Sequence, residues 1–586
     1  MRTNAYLWLL SLLCALAMAA GCDMFDRVSF LDDDGDVEAD PQEARTLPPH
    51  VAGTIGEHAV LYGGGAASVQ GYGLVIGLGT NGTDDVPPGL RKYFVEELLR
   101  RGMGSYRHET EELKPTVILE DTDTAVVLMG GVIPPGAPEG TRFDVFVSAL
   151  PQTGTRSLDG GVVMPADMRL PTAGGRATAG PRGGTKVWAE AGGPVFVNPF
   201  IDATDPEEAP KLREGRIIGG GAVTRARPIR LTLRRPDYAR ADLMQKRINE
   251  RFGGIEKVAF ARNRSVVEIE VPPKYRHEYD YFLELVLHLP VRTSGASGEL
   301  HAAEIAREIQ KPDANHHELA LVWEAMGRQV VPVVGSLYTS SSPHAAFYAA
   351  RAGLRLGDRK AADVIIHFAQ LDDSPLQIPA IEELGRHGRI YRAVGALRRL
   401  LDAENDRARV AAYESLAKLG DVTAVRRTRV ADDFYVDEVA SERDPMIYVT
   451  QTRMRKIVLF GRAMKIRTPI FFTMPDDALT VNAFEGEETA VVFRKIPRTG
   501  TFTPSLRLGT SVADFAARLG SPAVHGIDGK IQGLNMTYGQ VVGALYRMCQ
   551  GGDIPARFIL QRLPEVSKIY SEMEPVEADE FVEDEQ

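Results

Sequence analysis

GGGAASVQGYGLVIGLGTNGTDD, Gly63 to Asp85, is the stretch from which the rest of the chain is read. Leu74 to Gly77 forms a short apolar, β-favouring run between glycine clusters. That pattern predicts a short buried strand with glycine-rich turns on both sides. Glycines at 71, 73, 77, 79 and 82 imply tight turns or close backbone approach, because no Cβ obstructs a positive φ.

Gly77-Leu-Gly79-Thr-Asn-Gly82 also fits the G-x-G-x-x-G spacing of a nucleotide cradle. A cradle needs a helix opening at the last glycine, so that free N–H groups face the phosphate. Here Thr83-Asp84-Asp85-Val86-Pro87-Pro88 follows, and two carboxylates would repel a pyrophosphate. The stretch therefore reads as structural turns, with Asp84 and Asp85 as solvated or capping acids and not as an acid/base pair.

The same segment resembles the signature run of the bacterial flagellar P-ring protein family. Three more segments follow in the family's order: Asp123-Thr-Ala-Val-Val-Leu-Met-Gly-Gly-Val-Ile-Pro-Pro-Gly, Gly140-Thr-Arg-Phe-Asp-Val-Phe-Val-Ser-Ala-Leu and Ser157-Leu-Asp-Gly-Gly. The resemblance covers roughly residues 60–290, with a fainter likeness over roughly 535–562. It implies a structural protein without enzymatic activity or cofactor. It also implies a homo-oligomeric ring around the flagellar rod, with the rod, the outer ring proteins and peptidoglycan as partners. The implied location is the periplasm, in the flagellar basal body.

A length of 586 residues predicts several domains. The amino terminus reads as a targeting segment: Arg2, an apolar run from Tyr6 to Leu16, then Ala19-Ala-Gly-Cys22. The last four resemble a bacterial lipoprotein cleavage box, with Cys22 as the lipidation site and the lipid as a membrane anchor. The plainer reading is a secretory signal with an incidental cysteine. Outer-membrane anchoring facing the periplasm suits a P-ring partner, whereas Asp23 directly after Cys22 favours inner-membrane retention. The remaining cysteines are Cys14, inside the signal, and Cys549, which reads as a small buried apolar residue. No Cys/His set has zinc spacing, His316-His317 reads as a solvated helix start, and Asp32-Asp-Asp-Gly-Asp lacks the distal ligand of a calcium loop.

The net charge of −11 is concentrated at the ends. Residues 23–48 carry nine acids and two bases, and residues 571–586 carry eight acids and no base. The body between them is near neutral, which excludes a broad basic face for nucleic acid. Both acidic ends have the composition of disordered segments.

Periodicity predicts a helix over Leu90–Arg101 with Phe94, Val95 and Leu98 inward, and strands over Pro115–Leu119, Ala125–Met129 and Phe143–Ala149. The 171–193 segment reads as a mobile loop or hairpin. A βαββα module follows. Its strand alternates Ile229, Leu231 and Leu233 with Arg230, Thr232 and Arg234. Its first helix opens at Pro236-Asp237 with the stripe Ala241, Met244, Ile248 and Phe252. Two strands, 255–260 and 264–271, and a helix over Tyr275–Leu289 complete it. This order resembles the ring-building modules of secretin and flagellar ring proteins. Arg230 and Arg234, with Arg225, Arg227 and Arg235 nearby, form an expected basic surface, and Glu268 and Glu270 an expected acidic one elsewhere on the module. These four, Arg230, Arg234, Glu268 and Glu270, are the candidate assembly contacts.

Beyond residue 290 the resemblance lapses. Residues 301–420 are rich in Ala and Leu, and Leu-Gly steps at Gly357, Gly385 and Gly420 look like copies of one helix end, 28 and 35 residues apart. That spacing predicts a HEAT-like α-solenoid, the alternative being an ordinary helical bundle. Strands return at 457–461, 470–473, 478–484 and 490–493, and residues 538–561 read as a closing helix pair about Gly551-Gly552.

The fold class read from sequence is α+β: small mixed ring-building-type modules, an all-α HEAT-like solenoid and a C-terminal β-rich/α domain. The expected divisions are a lipoprotein signal (1–22), an acidic tether (23–50), a P-ring-like module (51–220), the βαββα module (221–292), helical repeats (293–428), a C-terminal α+β domain (429–566) and an acidic tail (567–586). The leading functional reading is a ring-forming envelope lipoprotein. The alternative is a non-flagellar envelope scaffold whose helical repeats bind a protein partner.

Overall fold

In the computed structural model the described residues are 48, 50–103, 114–171, 186–201, 203–292, 296–387, 390–496, 500–524 and 532–563. The Cys22 box, the 32–36 acidic run and both acidic ends lie outside them.

The decisive stretch supplies the strand Ala67–Ile76, longer than the sequence implied. It pairs in unbroken antiparallel register with Thr124–Ile133, from Ala67 opposite Ile133 to Ile76 opposite Thr124. Arg142–Ala149, Glu214–Val223, Val187–Pro194 and Val162–Arg169 continue the sheet until it closes on Ala67–Ile76 as a six-stranded barrel. Closure explains Gly71. A Cβ there would collide with the carbonyl oxygen of Asp167 on the closing strand, where the register shifts between Gln70 and Val75. Val69, Val75, Val127, Met129, Val145, Val147, Met168 and Ile217 fill the interior. Leu74 and Val126 point the other way, against Leu90, Phe94 and Leu98 of the helix Pro88–Arg100. This strand is thus buried on both faces, which is why Leu74-Val-Ile76 is continuously apolar.

One expectation fails here and another is met in part. Pro115–Leu119 is a short helix. Pro115 occupies its first turn, where the missing N–H costs nothing; the β-branched residues behind it were the misleading signal. Residues 187–193, expected as part of a mobile loop or hairpin, belong to the barrel strand Val187–Pro194, antiparallel to Val162–Arg169, which Gly and Ala suit because neighbouring backbones crowd it. Residues 172–185 lie outside the described set.

The next module forms as its sequence dictates. Ile229–Leu233 buries alternate residues. The Asp237 carboxylate caps Tyr238–Phe252 by accepting the N–H groups of Ala239 and Arg240. Ala241, Met244, Ile248 and Phe252 are the buried stripe. Burying Met244 or Phe252 contributes about 2–3 kcal/mol each. The later strands, Ala259–Ala261 and Val266–Ile269, are shorter than expected, and the closing helix begins at Tyr279. Sequence reading missed the sheet's fourth strand, Ala59–Tyr62, which pairs antiparallel with Ile229–Leu233.

Helices from Ala296–Glu308 to Asp406–Leu419 follow. Gly357 and Gly420 have positive φ and end helices, as expected. Gly385 does not: it lies inside Gln377–His387, where a Cβ would be 2.5 Å from Ser415 Oγ of the crossing helix. It is a close-packing point and not a third copy of a helix end.

A five-stranded mixed sheet, ordered Val425–Val430, Phe434–Val439, Lys456–Phe460, Met446–Val449 and Arg557–Leu560, packs against the last helices through Tyr413 and Phe460. A four-stranded sheet of Ile470–Thr473, Leu479–Ala483, Thr489–Arg494 and Leu506–Gly509 packs on Val512–Gly520 and Tyr538–Gln550. The expected closing helix pair is one helix and one strand. Gly552, at φ 81°, ends the helix, and Arg557–Leu560 pairs in parallel with Met446–Val449. Among the described residues no helix is long and apolar enough to cross a membrane.

Candidate functional site

The module sheet, ordered Ala59–Tyr62, Ile229–Leu233, Val266–Ile269 and Ala259–Ala261, buries one face. Its other face carries the sequence-predicted residues. Arg230, Arg234 and Glu270 are exposed and Glu268 is half-buried. The arrangement corrects one expectation: the basic and acidic groups do not occupy separate surfaces. Glu268 lies directly opposite Arg230 in the antiparallel register, and its Oε2 accepts from Arg262 Nε at 2.6 Å. Tyr62, 59 % exposed, lies on Arg230's other side. One mixed face results, with Arg in excess.

One edge of this sheet is covered. Asn249 and Gln245, from Tyr238–Phe252, hydrogen-bond the backbone of Ala259 and Ala261 along the outer side of the last strand. That edge is closed to a further strand.

A second polar feature escaped the sequence reading. Glu324 is 1 % exposed and receives Arg351 Nε at 3.1 Å and Arg355 Nη1 at 3.0 Å. Tyr281 donates its hydroxyl to Glu324 Oε2 at 2.8 Å. Arg355 also grips Glu383 with two nitrogens, at 2.7 and 2.8 Å. Burial alone would raise the Glu324 pKa, but Arg351 and Arg355 hold it below the usual value. Tyr281 belongs to the module and the other residues to the helices, so this network joins the two. The available signal was Arg351 and Arg355, one turn apart inside an alanine-rich apolar stripe. His317 joins it, with Nδ1 2.7 Å from Arg351 Nη1, so it is not simply solvated.

The glycine run is used internally. Gly79 N–H donates to Asp123 Oδ1 at 2.5 Å, Thr83 N–H donates to the Thr124 carbonyl at 2.7 Å, and the following helix opens only at Pro88. Asp84 and Asp85 are exposed. The N–H groups a phosphate would need at Gly79 and Thr83 are therefore committed to the fold.

Where barrel, module and C-terminal sheet meet, an open cleft is lined by Glu139, Arg142, Asp144, Arg276, Asp280 and Arg453. Burial and then the neighbouring Glu284 push the Asp280 pKa to about 6, against the pull of Arg453. Cys549 is half-buried, and burial pushes its thiol up to about 12.

Residues 55–298 match the sequence model of a family described as flagellar P-ring protein. The span takes in the barrel and the module and stops as the helical region begins. A flagellar P-ring protein of Oleidesulfovibrio alaskensis is 31 % identical over 233 residues, 38 % of this chain and 56 % of that protein. One from Anaeromyxobacter dehalogenans is 30 % identical over 227 residues, 37 % of this chain and 54 % of that protein. One from a Bradyrhizobium species is 29 % identical over 259 residues, 42 % of this chain and 62 % of that protein. The chain spans a little over half the length of these relatives.

Proposed function

We propose that this chain is a structural, ring-forming component of the bacterial flagellar basal body. It assembles around the rod as a fixed bushing in the cell envelope. The observation that carries this is the extent of the match: it spans two whole folding units, the barrel and the four-stranded module, each with its own core. Rigid units with unlike sides suit a head-to-tail contact, which closes into a ring when the rotation allows. Its partners on this reading are other copies of itself, the rod, the outer ring proteins and peptidoglycan. It acts as a structural element and not as an enzyme. Similarity to P-ring proteins favours this reading over a non-flagellar scaffold.

The finer readings belong to the same proposal. Cys22 carries a lipid that tethers the chain to the membrane. The βαββα unit is a ring-building module, and the helices between 296 and 419 stack as HEAT-like repeats. The module face bearing Arg230, Arg234, Glu268 and Glu270 is a subunit contact.

Deleting the gene should abolish swimming, and electron cryotomography of the mutant should show basal bodies lacking the periplasmic ring. Complete basal bodies in the mutant would overturn the proposal. For the contact, Arg230→Glu with Arg234→Glu should block incorporation while circular dichroism stays unchanged. Compensation by Glu268→Arg is not diagnostic, because it restores a pair within one sheet. Normal incorporation of the arginine double mutant would move the contact elsewhere.

A further inference from the structure

The four-stranded C-terminal sheet buries one face, through Phe472, Leu479, Val481, Ala490, Val492 and Leu508. Its other face should be polar if it only met water. Instead Phe471 and Phe484 are each 67 % exposed and Phe502 is 52 % exposed. Phe471 and Phe484 meet edge to face at 5.8 Å, and Phe493 and Phe502 do the same at 5.8 Å. Register places Phe471 and Phe493 on this one face, in adjacent rows. Phe471, Asn482, Val491 and Arg507 form one row across the strands, and Thr473, Thr480 and Phe493 the next. An aromatic patch of this kind marks an interaction surface.

Its rim is acidic. The turn joining Leu479–Ala483 to Thr489–Arg494 exposes Glu485, Glu487 and Glu488 beside Phe484. Glu487 Oε2 accepts the Phe484 N–H at 2.9 Å, which fixes the turn. The complementary surface is on the same chain: the module face exposes Arg230 beside Tyr62, and Arg234 just past the end of Arg230's strand, while Arg262 pairs with Glu268. Both faces are exposed in one molecule, so they do not cover each other.

We propose that the aromatic, acid-rimmed face of the 470–509 sheet seats on the arginine-bearing module face of a second copy of this chain. The proposal rests on the ring reading and names the partner of the module face. Arginine guanidinium planes stack on aromatic rings, and the opposed rim charges set orientation and speed encounter. The two faces differ, so the contact is heterologous, the type that builds rings.

The test uses the full chain carrying Cys14→Ser, Cys22→Ser and Cys549→Ser. One preparation adds Phe484→Cys and another adds Tyr62→Cys; both positions are exposed, so folding should be retained, as melting curves will check. Mixing the two under mild oxidation should give a cross-linked dimer that neither gives with the unmodified background. Separately, Glu485→Arg with Glu488→Arg should weaken self-association about tenfold in sedimentation velocity. Association that persists undiminished without the cross-link overturns this contact and leaves the ring reading standing. Vesicle binding that is lost on Phe471→Ser with Phe484→Ser, again without the cross-link, overturns it in favour of a bilayer. A basal body complete without the protein removes the ring reading itself.

Discussion

Asp144 on the barrel and Arg453 in the C-terminal domain, 309 residues apart, are joined through the backbone: both carboxylate oxygens of Asp144 accept the Arg453 N–H, at 2.9 and 3.0 Å. Asp144 Oδ1 also accepts the N–H of Gly219 at 2.7 Å. Gly219 and Arg453 both have positive φ, 61° and 63°. The C-terminal sheet is thereby keyed to the barrel, although its sequence lies outside the family match.

Gly219→Ala tests the key. Its Cβ would be 2.7 Å from the Arg453 carbonyl oxygen, in a φ region that disfavours side chains. We expect a loss of about 1–3 kcal/mol in denaturant titrations, from strain at a site where the neighbouring backbone cannot retreat. A variant as stable as the parent would mean that the two parts are not rigidly coupled.

Glu324→Ala should be the most damaging single change in the helical region. It would leave Arg351 and Arg355, each with a side chain 7 % exposed, short of a buried counter-charge. Removing one partner of a buried pair costs about 3–5 kcal/mol. Glu324→Gln, which keeps the shape and an acceptor, should cost less. Equal losses from the two variants would mean that charge plays no part.

The same network predicts acid sensitivity. Glu383 is buried, which alone would raise its pKa, but Arg355 and His387 hold it well below the ordinary carboxylate value. A carboxylate depressed in the folded state contributes stability above its unfolded pKa, and that contribution is lost as pH falls through the folded value. Glu383→Gln should therefore flatten the acid side of the stability profile. An unchanged acid limb would count against the assignment.

Asp280 predicts the opposite slope. Its folded pKa of about 6 exceeds the ordinary 3.8. The folded state holds this proton more tightly, so the contribution is present below the unfolded value and is lost as pH rises through about 6. Asp280→Asn should raise the melting temperature at neutral pH and change it little in acid. A variant less stable than the parent at neutral pH would show that the carboxylate makes contacts worth more than its burial costs.

Cys549, with burial pushing its thiol up to about 12, should stay uncharged at neutral pH and resist Ellman's reagent in the folded protein carrying Cys14→Ser and Cys22→Ser. Labelling should appear at the rate of unfolding. Rapid labelling of the folded chain would show an open path to the sulfur.

The elements read correctly from sequence are those whose cause is local. Asp237 caps its helix through N–H groups two and three residues on, and Ala241, Met244, Ile248 and Phe252 fall on one face by helical period alone. Ile229, Leu231 and Leu233 bury one side of a strand by the period of two. The ordered segments of the Gly63–Asp85 region and its successors carried the family likeness, because each keeps its own short pattern.

What tertiary structure alone decided is pairing across distance. Arg230 and Glu268 look like two surfaces in sequence and are neighbours in one sheet. Ala59–Tyr62 joins a sheet whose other strands come far later. Gly71 is needed because the barrel closes on Asp167, and Gly385 because another helix crosses it. Glu324 is an ordinary helical glutamate until Tyr281, Arg351 and Arg355 surround it. Local propensity fixes periods and caps within a few residues. Register, closure and the burial of charge depend on which distant segments share a core, and no short window of the chain carries that information.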